Sequence, residues 1–300
     1  MILETKRPML VPIALLRTMR PRQWTKNGFV FAGILFDQKL SDPNYVLRVL
    51  MAFGLLCLAA STIYLINDLV DIEKDRLHPK KKFRPLPSGQ LPVVYAIGTA
   101  LIFPIVALIG GWMLSPALAG VLLAYLALHI AYSFALKNIV LVDVFAIAGG
   151  FVLRVIAGVV VIDVQNFSPW LYVCAGLLSL FLAIGKRRQE LLLLGDDASK
   201  FKATYNSYTL ELLDDMLRLV LAGTAIAYTL YATEAETRLA APEYMLLTVP
   251  VVYFALFRYL FIIHVRKEGG DPTEVLFIDR PLQVSIVTWV AMILVFLYLV

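Results

Sequence analysis

Nine mostly apolar runs follow one another along the chain, at roughly 15–36, 45–66, 91–113, 116–134, 139–161, 168–185, 214–233, 243–264 and 280–300. A helix crosses the hydrocarbon core with about 20 such residues, so each run is a candidate transmembrane helix. The first is the weakest, because Arg17, Arg20, Arg22 and Lys26 break it. Residues 1–26 therefore read as a cytoplasmic amphipathic segment, with Asn27 to Phe36 entering lipid. Turn chemistry separates the other runs at Ser115-Pro116, Asn166 to Pro169, Ala241-Pro242 and Gly269-Gly270-Asp271-Pro272. The pattern predicts an all-α polytopic membrane protein of about nine transmembrane helices. It forms a single domain over 1–300, with no soluble unit large enough to stand alone.

Composition agrees. Of the 300 residues 60% are hydrophobic and 16% charged, at a mean hydropathy of +0.78. Soluble domains hold about 45–50% apolar and about 25% charged residues, so this chain needs lipid as its solvent. Cys57 and Cys174 fall inside apolar runs and imply no disulfide framework. The chain up to Arg22 carries no cleavable signal peptide, since it lacks a long apolar stretch before a small-residue cleavage site.

Net charge is +5, and its distribution sets the orientation. With the N-terminus inside, loops 67–90, 135–138, 186–213 and 265–279 lie on the cytoplasmic side. They hold Lys80-Lys81-Lys82, Arg84, Lys186-Arg187-Arg188, Lys200, Lys202, Arg266 and Lys267. The opposite loops hold Asp37, Asp42, Asp163, Glu234, Glu236 and Glu243, with little basic besides Lys39 and Arg238. This is the positive-inside asymmetry of a plasma (inner) membrane protein. Because the basic clusters alternate with membrane crossings, they do not mark a nucleic-acid partner. The two long loops, 67–90 and 186–213, share the cytoplasmic side, and long loops in compact proteins tend to be functional.

The strongest chemical signal closes the second run: Asn67-Asp68, Asp71 and Asp75. Three- and four-residue spacing on a helix turns the three carboxylates to one face, where they repel unless a cation intervenes. Magnesium suits them, since it takes one or two carboxylates together with substrate phosphate oxygens. The competing reading is a solvated acidic helix end neutralised by Lys74, Arg76 and Lys80. Arg84 follows, in the frame Arg84-Pro85-Leu86-Pro87-Ser88-Gly89, whose prolines and glycine define a loop that aims a guanidinium fork at phosphate. The lysine run before it serves topology as readily as binding.

Together these two motifs resemble the first motif of the UbiA-type intramembrane prenyltransferase superfamily, over nearly the whole chain. The resemblance implies nine helices around a central cavity open sideways to lipid, with Asn67, Asp68, Asp71 and Asp75 holding Mg2+ against a diphosphate. Most prenyl-transferring members carry a second aspartate motif after the sixth helix. Here Gly185-Lys186-Arg187-Arg188-Gln189-Glu190 stands there, and Asp196-Asp197 and Asp214-Asp215 lack the spacing.

With Arg20-Pro21-Arg22-Gln23-Trp24-Thr25-Lys26-Asn27 and Gly149-Gly150-Phe151-Val152-Leu153-Arg154, the chain is similar to the phosphoribosyltransferase branch of that superfamily. The branch joins a polyprenyl (decaprenyl-like) phosphate to phosphoribosyl pyrophosphate, releasing diphosphate on the way to cell-wall arabinose. The similarity implies catalytic roles for Asp68, Asp71, Asp75, Arg84 and Lys137. It implies substrate binding by Lys26, Asn27, Asn67, Tyr132, Arg154, Lys186, Arg187, Arg188 and Glu190. Charge supports it, because three anionic groups must converge and cations should ring them.

Some alternatives stay open. Tyr132 and Lys137 suit an interfacial anchor as well as a diphosphate clamp. Arg154, deep in the fifth run, suits a salt bridge with Asp143 as well as substrate. A flank that only fixes topology would also explain Lys186 to Arg188. A prenyltransferase acting on an aromatic or other small acceptor is the rival activity. A channel is disfavoured because the polar residues gather at one face, and His78, His129 and His264 form no zinc motif. A homo-oligomer is compatible with all of this.

The orientation is directly testable. Single cysteines near Ser115 and Glu236 should react with a membrane-impermeant reagent from the periplasmic side, and cysteines at Ser88 and Ser199 should not. The reverse pattern would invert the topology.

Overall fold

The computed structural model describes residues 10–77, 81–164, 168–195, 203–234, 243–266, 275 and 278–299. Outside the described residues lie His78, Lys80, Asp196, Asp197, Ser199, Lys200, Lys202, Glu236, Arg238 and Lys267. The turns at 166, 241–242 and 269–272 lie there too.

The chain opens with α1 (Val11–Thr18), a 3-10 segment (Pro21–Phe31) and a short α2 (Ala32–Phe36). Next come α3 (Pro43–Val70), α4 (Ile72–Leu77), α5 (Val93–Leu114), α6 (Pro116–Phe134), α7 (Val142–Val161) and α8 (Pro169–Leu194). The last helices are α9 (Leu210–Glu234), α10 (Val249–Phe261), which runs into a π-helical turn (Ile262–Arg266), and α11 (Arg280–Tyr298). No strand occurs among the described residues. Among the described residues, eight helical stretches are long and apolar enough to cross a membrane: α3, α5 to α9, Tyr244–Arg266 and α11.

The first run is helical but broken. Arg20 sits at φ +55° immediately before Pro21, and the 3-10 segment starts there. A residue before proline is sterically pushed out of the α region, so α1 cannot continue through it.

Local chemistry starts the long helices where the sequence suggests. Asp42 Oδ1 accepts from the Asn44 amide at 2.8 Å, with Pro43 opening α3. Asp279 accepts from the Leu282 amide at 2.9 Å at the start of α11. Asp279 also receives Arg258 Nη2 at 2.8 Å and Arg266 Nη1 at 3.1 Å, which ties α10 and its π turn to α11. The bonds from Arg258 hold the Asp279 carboxyl below its ordinary range. At the far end of the bundle, Arg48 donates to the carbonyls of Val161 and Leu114, both at 2.8 Å. A cation there satisfies backbone acceptors at the ends of α7 and α5.

Two apolar cores share α7. One packs Val30, Ile34, Leu56, Leu118, Leu122 and Ala157 between the N-terminal segment and α3 to α7. The other packs Val144, Phe181, Ile184, Leu213, Leu217 and Leu256 between α7 and α8 to α10. Lipid takes the outer faces, as at Leu101, Ile105, Ile109 and Trp112 of α5, all more than half exposed. The N-terminal segment reaches α7 backbone to backbone: a Cβ on Gly158 would lie 1.9 Å from the Val30 carbonyl oxygen. This approach is what seats Asn27 against the centre of the bundle.

Gly158→Ala should therefore destabilise the protein. Overpacking typically costs about 1–3 kcal/mol, and this clash is with rigid backbone. The thermal unfolding midpoint in detergent should fall by several degrees. Gly120→Ala, where nothing lies within 4 Å, should leave it unchanged or raise it. Equal midpoints for the two variants would contradict the packing.

Candidate active site

The polar end of the bundle is built where α3 stops. The helix breaks at Asp71 (φ −94°, ψ 10°), and α4 starts again one residue later. Backbone bonds still run across it, from the Asp71 amide to the Asn67 carbonyl at 3.0 Å and from the Asp75 amide to the Asp71 carbonyl at 2.8 Å. Asp68 and Asp75 are both buried, at 2% exposure each, while Asp71 is half-buried at the break. Asp75 follows Asp68 by seven residues, close to two helical turns, and Arg84 bridges the two. Its Nη1 donates to Asp75 Oδ2 at 2.6 Å and to Asp68 Oδ1 at 3.1 Å. Arg20 Nη2 adds a bond to Asp68 Oδ1 at 2.5 Å, and Lys81 Nζ lies 3.6 Å from Asp75 Oδ1.

Arg84 owes its position to its loop. Ser88 Oγ donates to the Arg84 carbonyl at 2.7 Å, and the Leu91 amide to the Pro85 carbonyl at 2.9 Å. Gly89 closes the turn at φ +76°, a conformation that suits glycine. Leu86 and Leu91 are fully buried with Ala14, Leu65 and Ala96. The loop is thus pinned to the end of α3 by its own small core.

Beside this cluster opens a cavity of about 870 Å³. Arg20, Lys26, Asn67, Tyr132 and Lys186 line its polar end, and Phe29, Phe36, Phe181, Leu282 and Trp289 line much of the rest. Tyr125, His129 and Arg154 also face it. Of the acidic motif Asn67 lines the cavity, whereas Asp68, Asp71 and Asp75 lie outside its lining.

The basic triplet after the sixth long run is split three ways. Successive residues on a helix point about 100° apart, and only Lys186 reaches the cavity. Arg187 is buried in a closed network. It donates to Asp143 Oδ2 at 2.9 Å, Glu190 Oε2 at 2.6 Å and the Tyr132 hydroxyl at 2.8 Å. Tyr205 bonds Glu190 as well, and Tyr208 donates to Asp143 Oδ1 at 2.7 Å. Burial and that carboxylate push the Tyr208 phenol up to about 12, so it remains a donor. Arg188 faces away, to Asp214 Oδ1 at 2.5 Å and the Ile263 carbonyl at 3.2 Å. Each of the three thus has protein partners: Arg187 holds Tyr132, Glu190 holds Arg187 and Tyr205, and Arg188 ties α8 to α9 and to the π turn.

α6 ends at Phe134, and Lys137 falls on the following 3-10 turn, outside the cavity lining. Asn27 is fully buried; its amide donates to Cys57 Sγ at 3.2 Å and its Oδ1 accepts from Arg154 Nε at 2.8 Å. The suggested Asp143–Arg154 pair does not form, because Asp143 belongs to Arg187.

Sequence reasoning missed Arg20, Tyr125 and His129 as site residues. Arg20 had one legible signal, its position before proline, which sets the backbone that brings it to Asp68. Tyr125 and His129 had none, being single polar groups within an apolar run.

Hard-cation chemistry fits the acidic cluster, since Asn67, Asp68, Asp71 and Asp75 offer only oxygen donors from side chains. Among the described residues, however, no three acidic, histidine or cysteine groups converge closely enough to form a ready metal cage. Two carboxylates plus substrate oxygens is the arrangement the geometry suits.

Comparison with known proteins follows the same line. A model of the UbiA prenyltransferase family matches residues 28–279. The chain is 34% identical to a decaprenyl-phosphate phosphoribosyltransferase of Mycolicibacterium smegmatis, over 93% of this chain and 91% of that protein. It is 32% identical to the protein of that name in Mycobacterium tuberculosis, over 96% and 95%. In fold it is similar to a UbiA homologue from Archaeoglobus fulgidus solved with GPP and Mg2+. That likeness has a TM-score of 0.72 and 21% identity, and covers 95% of this chain and 99% of the other.

Proposed function

The chain belongs to the UbiA prenyltransferase family and is a multi-pass membrane transferase, and we propose that it moves 5-phosphoribose from phosphoribosyl pyrophosphate to a polyprenyl phosphate. The observation that carries this reading is the cation ring at the mouth of a largely apolar cavity. Lys186 stands on the cavity wall where a second acidic motif would serve a prenyl diphosphate, joined there by Arg20 and Lys26. The names of the relatives in Mycolicibacterium and Mycobacterium support the same transfer.

In this reading Asn67, Asp68, Asp71 and Asp75 would hold magnesium, which when bound neutralises the departing diphosphate. Arg84, hinged on its pinned loop, forks onto phosphate oxygens beside it. Arg20, Lys26 and Lys186 neutralise the remaining phosphate charge, the contribution in which most catalytic benefit lies. The anomeric C1–O bond to diphosphate breaks, and a new C1–O bond to the lipid phosphate forms. The electron pair leaves with diphosphate. No general base is needed, because the acceptor phosphate is already anionic. Phe29, Phe36 and Trp289 give the isoprenoid an apolar wall and limit water, which would hydrolyse the donor. The basic loops favour a cytoplasmic aspartate end in the plasma membrane, where a soluble sugar phosphate can enter. The product suits envelope glycolipid or arabinose-precursor synthesis.

Purified protein with magnesium should convert phosphoribosyl pyrophosphate and polyprenyl phosphate to polyprenyl-phospho-phosphoribose, with one diphosphate released per product. Asp68→Asn and Asp71→Asn should cut turnover by roughly 10²–10³-fold, the scale of losing a major electrostatic contributor, with the fold retained. A chelator should abolish activity. Turnover of a prenyl diphosphate with an aromatic acceptor, and none of the sugar donor, would overturn the assignment.

A further inference from the structure

Arg154 presents a charge that the aspartate end does not use. It lies twelve residues into α7 and is 5% exposed. All its partners are neutral: Nε donates to Asn27 Oδ1, Nη1 to the Gly150 carbonyl at 2.8 Å and Nη2 to the Tyr125 hydroxyl at 2.7 Å. No carboxylate among the described residues pairs with it, although a buried cation without a counter-charge is costly. A guanidinium carries five N–H donors, so one N–H remains on each terminal nitrogen. The rings of Tyr125 and Phe151 lie 4.9 Å and 5.1 Å from its central carbon and hold it in place.

A second unmet group stands beside it. His129 Nε2 is buried without a hydrogen-bond partner, on a ring packed 4.3 Å from Tyr125. Gly150 makes room for both: a Cβ there would lie 2.6 Å from His129 Nε2 and 3.5 Å from Arg154 Nη1. Arg154, His129 and Tyr125 all face the cavity. Their depth follows from α3. Asn27, bonded to Arg154, also bonds Cys57, ten residues and so about 15 Å along the helix from Asn67. One cavity therefore carries a cationic hydrogen-bonding site well inside the membrane, separate from the aspartates.

We propose that Arg154, with His129 and Tyr125, is a deep phosphate-monoester site of this cavity. It rests on the functional reading above, which brings two monoesters here: the 5-phosphate of the sugar donor and the headgroup phosphate of the lipid acceptor. The two remaining N–H groups of Arg154, together with His129 in its Nε2–H tautomer, form a donor set that a monoester satisfies and a neutral headgroup does not.

The test measures dissociation constants on detergent-purified full-length protein for three probes: ribose 5-phosphate, geranyl monophosphate and inorganic diphosphate with magnesium. Arg154→Met should weaken one monoester tenfold to a hundredfold, the loss expected for a charge-assisted bond, and leave diphosphate within twofold. Loss confined to ribose 5-phosphate assigns the site to the donor, and loss confined to geranyl monophosphate assigns it to the acceptor. Because Arg154→Met also frees Asn27 and could unfold the protein, His129→Phe is the second variant. It leaves the Arg154 bonds in place, so the unliganded thermal midpoint should hold while the same monoester weakens. Unchanged monoester binding in His129→Phe and in a folded Arg154→Met would overturn the site and leave the functional reading intact. Failure of the wild type to bind either monoester would overturn both.

Discussion

Two buried carboxylates, Asp68 and Asp75, are held side by side by one guanidinium, Arg84, and the polar end of the molecule depends on that arrangement. Like charges this close, away from water, stay ionised only with a cation between or beside them. The loop from Arg84 to Gly89 supplies it from a fixed position, because Leu86 and Leu91 are packed under the end of α3. Arg20 completes the compensation, and its left-handed backbone before Pro21 aims the N-terminal segment along the cavity. In the proposed reaction a hard cation and a diphosphate would take over these carboxylates and guanidinium groups as their partners.

Charge elsewhere in the bundle obeys the same constraint in different ways. Arg187 and Arg188 are neutralised by Asp143, Glu190 and Asp214 and hold helices together. Arg48 ends on backbone carbonyls at the far side. Lys186 and Arg154 instead face the cavity, at different depths, from α8 and α7. The helix shared by both apolar cores therefore also carries a cavity-facing cation set apart from the aspartates.

The crossings were legible because apolar length and turn residues mark them directly: α6 starts at Pro116 after Ser115, and α8 at Pro169. The acidic cluster and Arg84 were legible from their spacing and loop frame. Which face a charged residue takes was not. Lys186, Arg187 and Arg188 are adjacent in sequence, yet each meets a different neighbour, and those neighbours lie 44 residues away at Asp143 and 26 away at Asp214. Tyr132 and Lys137, close in sequence, are likewise divided: Tyr132 lines the cavity from α6, while Lys137 lies on the 3-10 turn beyond its end at Phe134. Asn27 and His129 gain meaning only from Arg154, a partner 127 residues from the first, which no local pattern announces.

The central claim is that a sugar diphosphate is seated on the aspartates at the mouth of a cavity that also admits a lipid phosphate. Its most direct test is a cryo-EM structure of the protein in lipid nanodiscs with phosphoribosyl pyrophosphate and magnesium. The account predicts donor density beside Asn67, with its diphosphate against Asp68 and Asp75 and Arg84 turned onto a phosphate oxygen. Density for the donor away from those aspartates, or none at saturating concentration while a prenyl diphosphate occupies the same end, would contradict it.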